Sequence, residues 1–236
     1  MTARLDPAPN GADLARLHGL DGTALVRAAL APEVLGGHLA LVSSFGSESA
    51  VLLDMVASTA PGTPVIFLDT EKLFPETRAY RDELVELLGL TDVRAIRPEP
   101  AALRAADPAG DLWQSDADAC CALRKVEPLE RALRGFRGWI TGRKRFQGAS
   151  RARLETLERD PATGRIKINP LASWSEEDVE KYRTLRGLPP HPLVAQGYRS
   201  IGCAPCTRVT KPGEGARAGR WAHLDKTECG IHGGGI

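Results

Sequence analysis

Short apolar runs alternate with longer amphipathic stretches through the middle of the chain, and that alternation limits the fold more than any other feature of the sequence. "HLALVSSF" is a short apolar run leading into a Ser/Gly turn, and "SESAVLLDMVAST" follows with Val51, Leu52, Met55 and Val56 at helical spacing. "TPVIFLDT" reads as a second buried strand. "PETRAYRDELVELLGL" reads as a helix, with Pro75 in its first turn, apolar Tyr80, Leu84, Leu87 and Leu88, and Gly89 near its end. "VRAI" supplies a third strand and "GWITGR" a fourth, with "CCALRKVEPLERALRG" between them as a helix interrupted at Pro128. "SWSEEDVEKYRTLRG" places Ser175 three residues before Asp178, a capping-box start, and closes at Gly187. Strand after helix after strand predicts an α/β fold with a mostly parallel sheet covered on both faces.

The first twenty residues, polar and rich in Pro and Gly, read as a loosely packed lead-in, and from "GLPPHP" onward periodicity fades into Gly, Pro, Cys and Arg. The predicted division is a lead-in over 1–30, an α/β nucleotide-binding domain over 31–200, and a C-terminal segment over 201–236 with a flexible tail. The chain carries 31 Lys and Arg against 30 Asp and Glu, a net charge of +1, so no global excess points to nucleic acid or an anionic membrane. The N-terminus lacks an apolar signal core and no apolar run approaches the roughly 18 residues of a transmembrane helix, which predicts a cytoplasmic protein. A homo-oligomer is compatible with the sequence, which does not fix the oligomeric state.

The loop after the first strand, "SSFGSES", places Ser43, Ser44, Gly46, Ser47, Glu48 and Ser49 where an open parallel sheet binds ligands, at a helix N-terminus. Hydroxyls, a glycine that permits close approach and helix N–H groups suit phosphate or sulfate oxygens, although an ordinary capped helix start has the same composition. It is not a Walker A loop, because the G-x-x-x-x-G-K-[ST] pattern is absent. It resembles the S-G-G-x-D-S loop of the PP-loop pyrophosphatase superfamily, with Phe45 and Gly46 at the glycine pair and Glu48 at the Asp.

Five cysteines in a reducing compartment suggest four ligands and one reactive thiol. Cys120 and Cys121 are adjacent, and Cys203 and Cys206 form C-x-x-C. Four thiolates in two pairs can hold zinc or an iron-sulfur cluster. Neighbouring helical residues point about 100° apart, which favours a cluster with separated irons over one small ion. Cys229 stands alone on a glycine-rich tail, where by position it reads as a spare surface thiol. "GRKRFQGASR" concentrates Arg143, Lys144, Arg145 and Arg151 after a strand, either as an anion clamp or as a basic surface loop.

"CCALRKVEPLERAL", "LDTEKLFPETRAYRDEL", "KINPLASW", "GYRSIGCAPCTR", "RAGRWA" and "KTECGIH" together resemble the assimilatory adenylyl-sulfate reductases, within the larger adenylyl-sulfate and phosphoadenylyl-sulfate reductase family, over residues 38–232. The resemblance implies a PP-loop-type, adenine-nucleotide-hydrolase-like domain that reduces adenosine 5'-phosphosulfate to sulfite and AMP in sulfate assimilation and cysteine biosynthesis. It implies a 4Fe-4S cluster on Cys120, Cys121, Cys203 and Cys206, with Cys229 as the nucleophile. A cysteine S-sulfonate would form on that thiol, and thioredoxin or a glutaredoxin-like dithiol would release sulfite from it. Mobility of the glycine-rich tail would let Cys229 meet first the nucleotide and then the reductant.

The implied substrate contacts are the serine loop, Asp69, Thr70, Lys125, Arg145, Arg151, Arg217, Arg220 and His232, with Arg143 and Lys144 the weaker members of the basic stretch. Glu71 stands where family members commonly carry glycine. Of the four tryptophans, Trp221 is the one that core packing does not claim by default. Two rival readings are a phosphoadenylyl-sulfate reductase and a non-catalytic, zinc-stabilised nucleotide-binding module.

Overall fold

The computed structural model describes residues 14–35, 37–161, 163–222, 224 and 226–231. Six strands form one sheet: β1 (Leu39–Val42), β2 (Val65–Leu68), β3 (Val93–Ile96), β4 (Gly138–Thr141), β5 (Leu157–Arg159) and β6 (Ile166–Ile168). Their order is β3-β2-β1-β4-β6-β5, and all neighbours are parallel except the edge strand β5. The period of two along each strand sorts the apolar residues to two faces. Leu39, Leu41, Val65, Phe67 and Ile140 enter one core, with Leu25, Leu53, Tyr80 and Val179 from α1 (Gly22–Leu30), α2 (Ser49–Thr59), α3 (Pro75–Leu88) and α7 (Glu176–Leu185). Ala40, Ile66 and Trp139 face the other way and pack on Leu129 and Leu133. The sheet is thus covered on both faces, as the alternation predicts.

Three features differ from the sequence reading. The predicted lead-in is partly core: Leu17 is fully buried and α1 packs Leu25, Val26 and Ala29 against α2, so burial of an apolar stripe outweighs the Pro and Gly around it. The helix expected to break at Pro128 changes register earlier. It runs as α5 (Ala117–Cys121), a π turn over Ala122–Val126, and α6 (Glu127–Ala132), with Pro128 in the first turn of α6, where its missing N–H costs nothing. Strands β5 and β6, three residues each, are too short to show a period. The helix α4 (Pro100–Ala106) lies between β3 and α5. The capping box is present: Ser175 Oγ accepts from the Asp178 N–H, and the Asp178 carboxylate accepts from the Ser175 N–H. Among the described residues no helix is long and apolar enough to cross a membrane.

Candidate active site

In this strand order the chain leaves β1 toward β2 on one side and returns as β4 on the other, so a crevice opens between the carboxyl ends of β1 and β4. One pocket occupies it. Ser43, Ser44, Gly46, Ser47, Glu48 and Ser49 line it from the β1 loop, Thr70 from the β2 loop, and Gly142, Arg143 and Lys144 from the β4 loop. The β1 loop is held by its own polar atoms: the Phe45 N–H donates to Ser43 Oγ (3.2 Å), the Gly46 N–H to Ser49 Oγ (2.8 Å), and the Ser47 hydroxyl to the Arg199 carbonyl (3.0 Å). Phe45 takes a left-handed backbone (φ 48°) and is anchored by full burial, with its ring edge-on to Phe67. Glu48 accepts from Lys144 Nζ at 2.8 Å and from Gln147 Nε2 at 2.7 Å. A buried ion pair therefore ties the β1 loop to the β4 loop across the crevice.

The C-terminal segment closes the opposite wall. The backbones of Leu73 and Cys203 pair in an isolated bridge, and the Ala204 N–H donates to the Lys72 carbonyl at 2.7 Å. Cys203 and Cys206 flank a single 3-10 turn, while Cys120 and Cys121 end α5, whose N-cap Asp116 accepts from the N–H groups of Asp118 and Ala119. All four thiols are buried and none is in a disulfide. Burial lifts Cys120 to about 11 and Cys121 to about 12. Burial also works to raise Cys203, but Lys125, the Thr70 hydroxyl 3.2 Å from its sulfur, and Arg220 outweigh it, and its pKa lies below the ordinary thiol value. The Cys203 and Cys206 thiolates act on Cys120 and that of Cys203 on Cys121, which puts the two pairs within electrostatic reach of each other. Soft, buried sulfur donors with a lysine and an arginine beside them suit an anionic thiolate-bound metal group. Among the described residues, no three His, Cys, Asp or Glu side chains converge in the arrangement that holds a single metal ion.

The α5 turn is fixed by Arg124, a residue without a sequence signal. Buried beneath the crevice, it donates to Asp107 through Nη2 (2.6 Å) and Nε (3.2 Å) and to the Thr70 carbonyl through Nη1 (3.0 Å). Lys125, the next residue, lines the pocket. Burial works to lower its pKa, but the Cys203 and Cys229 thiolates outweigh that, so it stays protonated.

Four cations surround the buried ring of Trp221: Arg220 at 4.4 Å from its centroid, Arg217 at 5.7 Å, Lys125 at 5.9 Å and Lys226 at 6.0 Å. Arg220 lies so close to the chain that a Cβ at Gly202 would fall 2.0–2.4 Å from its guanidinium. Cys229 is half-buried and reaches the same pocket as the serine loop, Lys125, Arg217 and Arg220. Its acidic neighbour is held in place by paired cations: Glu228 accepts from Arg151 Nε (2.6 Å) and Nη2 (2.8 Å), from Arg217 Nη2 (3.3 Å) and from the Ser150 hydroxyl (3.2 Å). Burial pushes the Glu228 carboxyl up, but Arg151 and Arg217 pull it further down, so it is ionised.

Of the residues singled out in the sequence, the pocket brings together the six of the serine loop, Thr70, Lys125, Cys203, Arg151, Arg217, Arg220 and Cys229. Two lie elsewhere. Asp69 is buried off the pocket, paired with Arg78 Nη2 (2.9 Å) and Arg97 Nε (3.3 Å), which holds the β2 loop against α3. Arg145 donates from Nε to the Leu154 carbonyl (2.8 Å) with its guanidinium end partly exposed, while the weaker choices Arg143 and Lys144 line the pocket. A 3-10 turn over Arg145–Gln147 turns that side chain away, a conformation with no pattern in the sequence. Gln147 is a pocket residue that the sequence did not single out, while Trp221, the tryptophan not assigned to core packing, lines the pocket and is also buried against Cys203 and Cys206. His232 lies outside the described residues. Glu71 keeps the left-handed backbone of a glycine (φ 60°), with its N–H bonded to Asp69 Oδ1.

Residues 38–209 match the family model of the phosphoadenosine phosphosulfate reductase domain. Among curated proteins, the chain is 55% identical over 206 residues to an adenosine 5'-phosphosulfate reductase of Mesorhizobium japonicum, covering 87% of this chain and 80% of that one. It is 43% identical over 213 residues to one of Streptomyces coelicolor, covering 90% and 89%. Among solved structures it is similar to a phosphoadenylyl-sulfate reductase from Candida auris in complex with phosphate, with 31% identity, a TM-score of 0.62, and 72% and 83% of the two chains covered. An FMN adenylyltransferase of Candida glabrata shares the fold at 14% identity and a TM-score of 0.57, over 86% and 75% of the two chains. A match that spans the sheet, the serine loop and the first C-terminal cysteine pair, joined to relatives of this identity, places the chain in the phosphoadenosine phosphosulfate reductase family.

Proposed function

We propose that the protein reduces adenosine 5'-phosphosulfate to sulfite and AMP, with Cys229 as the nucleophile. The observation that carries the reading is the meeting, in one crevice, of the Cys229 thiol with the serine loop and with Lys125 and Arg220. The identity to adenosine 5'-phosphosulfate reductases supports the choice of substrate. The serine loop and the N-terminus of α2 suit the phosphate, and Arg220 and Lys125 the sulfate, where charge builds as the thiolate attacks. The Cys229 thiolate attacks the sulfate sulfur, a sulfur–sulfur bond forms, the sulfur–oxygen bond to the phosphate breaks, and AMP leaves. One thiolate of a thioredoxin-like dithiol then attacks the Cys229 sulfur and expels sulfite, and its second thiol resolves the mixed disulfide. The dithiol supplies both electrons and ends as a disulfide.

Cys120, Cys121, Cys203 and Cys206 fit a 4Fe-4S cluster by donor type, burial and the positive charge beside them. When bound, the cluster supplies a fixed anionic charge that tunes the potential near Lys125. Lys125 and Arg220 line the pocket beside Cys203, on which both act electrostatically, and they orient the sulfate end of the nucleotide.

The test is the intact mass of anaerobically prepared protein, free of thioredoxin, after mixing with adenosine 5'-phosphosulfate or its 3'-phosphorylated form. A sulfonate mapped to Cys229, formed faster with the first, is expected, with none in Cys229→Ser. Preference for the 3'-phosphorylated nucleotide would transfer the reading to a phosphoadenylyl-sulfate reductase, and no adduct from either would overturn it.

A further inference from the structure

The pocket's cations divide into two sets. Arg151 and Arg217 are both committed to Glu228, whereas Lys125 and Arg220 meet no carboxylate in ion-pair range among the described residues. The first set holds the tail by more than one contact. Arg217 Nη2 also donates to the Thr227 carbonyl (2.9 Å), and Arg151 Nη1 donates to Gln147 Oε1 (2.5 Å). Gln147 in turn donates to Glu48, which accepts from Lys144, whose Nζ also donates to the Gly142 carbonyl. A continuous chain of charge-assisted hydrogen bonds thus runs from the residue before Cys229 to both loops of the crevice. On the other side of Cys229, Gly230 turns the chain with φ 80°, and Ile231 packs against the apolar cluster that contains Ala40, Leu133 and Trp139. The thiol is therefore pinned between a half-buried bidentate ion pair and an apolar anchor.

We infer that Glu228 is a positioning residue: its carboxylate, latched by Arg151 and Arg217, sets the Cys229 sulfur in the crevice, and Lys125 and Arg220 are left to meet the nucleotide's sulfate. The assignment deepens the proposed function, since it takes Cys229 as the nucleophile. A bidentate guanidinium–carboxylate pair fixes direction as well as distance, and a residue held at its neighbour loses most of the freedom of a tail. In this arrangement Glu228 acts on the rate of attack, not on nucleotide binding.

The experiment uses the full chain, prepared anaerobically with its metal group. Single-turnover sulfonation and equilibrium binding of adenosine 5'-phosphosulfate are measured beside labelling of Cys229 by a bulky maleimide, for wild type, Glu228→Gln, Arg151→Gln, the double variant, and the exchanged pair Glu228→Arg with Arg151→Glu. In Glu228→Gln the saturated sulfonation rate should fall tenfold or more while nucleotide affinity stays within about threefold, and Cys229 labelling should accelerate at least tenfold. The labelling of the double variant should match that of Glu228→Gln, because the two residues act as one unit. The exchanged pair should restore slow labelling.

Unchanged labelling in Glu228→Gln, or additive effects in the double variant, would overturn the latch. Loss of nucleotide binding in step with rate would also overturn it and make Glu228 part of the binding surface. Labelling needs no turnover, so the latch is decided even if wild type forms no sulfonate and the functional reading fails.

Discussion

The two walls of the crevice are built in different ways. The sheet wall consists of loops that leave β1, β2 and β4, so its groups are placed by parallel strands whose side chains fill two cores. Among its described residues, the C-terminal wall from Ile201 to Ile231 has one 3-10 turn and two isolated bridges, and most of its order comes from side chains: Arg220 and its neighbours around Trp221, and Glu228 between Arg151 and Arg217. A wall held by strands keeps its shape when one contact is lost. One held by arginines can release and re-form, which suits a thiol that must meet two partners in a turnover.

That contrast can be broken most severely at Arg124, the buried link between the π turn after α5 and the β2 loop. Arg124→Ala leaves Asp107 buried and unpaired and should cost about 3–5 kcal/mol, read as a lowered midpoint of chemical unfolding. The same truncation at Arg208, whose pair with Glu214 is exposed, should leave the midpoint close to that of wild type. Equal losses would mean that the two walls are not held differently.

His191 tests the packing behind α3. It is fully buried; its Nδ1 accepts from the Leu193 N–H, so the neutral ring carries its proton on Nε2 and donates to Thr77 Oγ1. Burial lowers its pKa to about 4, with Glu76 opposing. A histidine held neutral in the fold contributes stability above its unfolded pKa, and this is lost as pH falls from about 6.5 toward 4, by at most about 3 kcal/mol. His191→Gln should flatten that part of the stability profile, and an unchanged profile would assign the loss to other groups.

Gly202→Ala sharpens the comparison from the other wall. The new methyl would displace the Arg220 guanidinium without disturbing the sheet, so adenosine 5'-phosphosulfate should bind about tenfold more weakly with an unfolding midpoint close to that of wild type. A large loss of stability instead would mean that this wall is as tightly integrated as the sheet. The smallest effect is expected at Glu71, whose left-handed backbone a glycine adopts without strain. Glu71→Gly should stabilise the protein by up to about 1 kcal/mol, less whatever the 3.8 Å contact with Arg124 contributes.

Much of the architecture was legible because period and punctuation are local. β3 coincides with "VRAI", α3 starts at Pro75 and ends before Gly89, and α7 starts after the Ser175 capping box. Strands β5 and β6 were not legible, since three residues carry no period, and the π turn was not, since its extra residue leaves no mark on composition. In the candidate site, residue type and the family resemblance pointed to the serine loop, Cys203, Cys206, Lys125, Arg217 and Arg220, which line the crevice or the buried cluster beside it, and to Cys120 and Cys121, which are buried at the end of α5. They did not show that Asp69 pairs with Arg78 and Arg97, nor which cations of "GRKRF" line the pocket, since neighbouring cations look alike and only the backbone decides which ones face inward.

The sequence by itself determined the alternation of strand and helix, the family and the supply of sulfur and cationic groups, because spacing and residue chemistry are properties of the chain. Only the tertiary structure decided which cation serves which anion. Glu228 lies 77 residues from Arg151, and their pairing exists only because the β4 loop and the C-terminal segment fold onto the same crevice, where a partly buried carboxylate must find a partner.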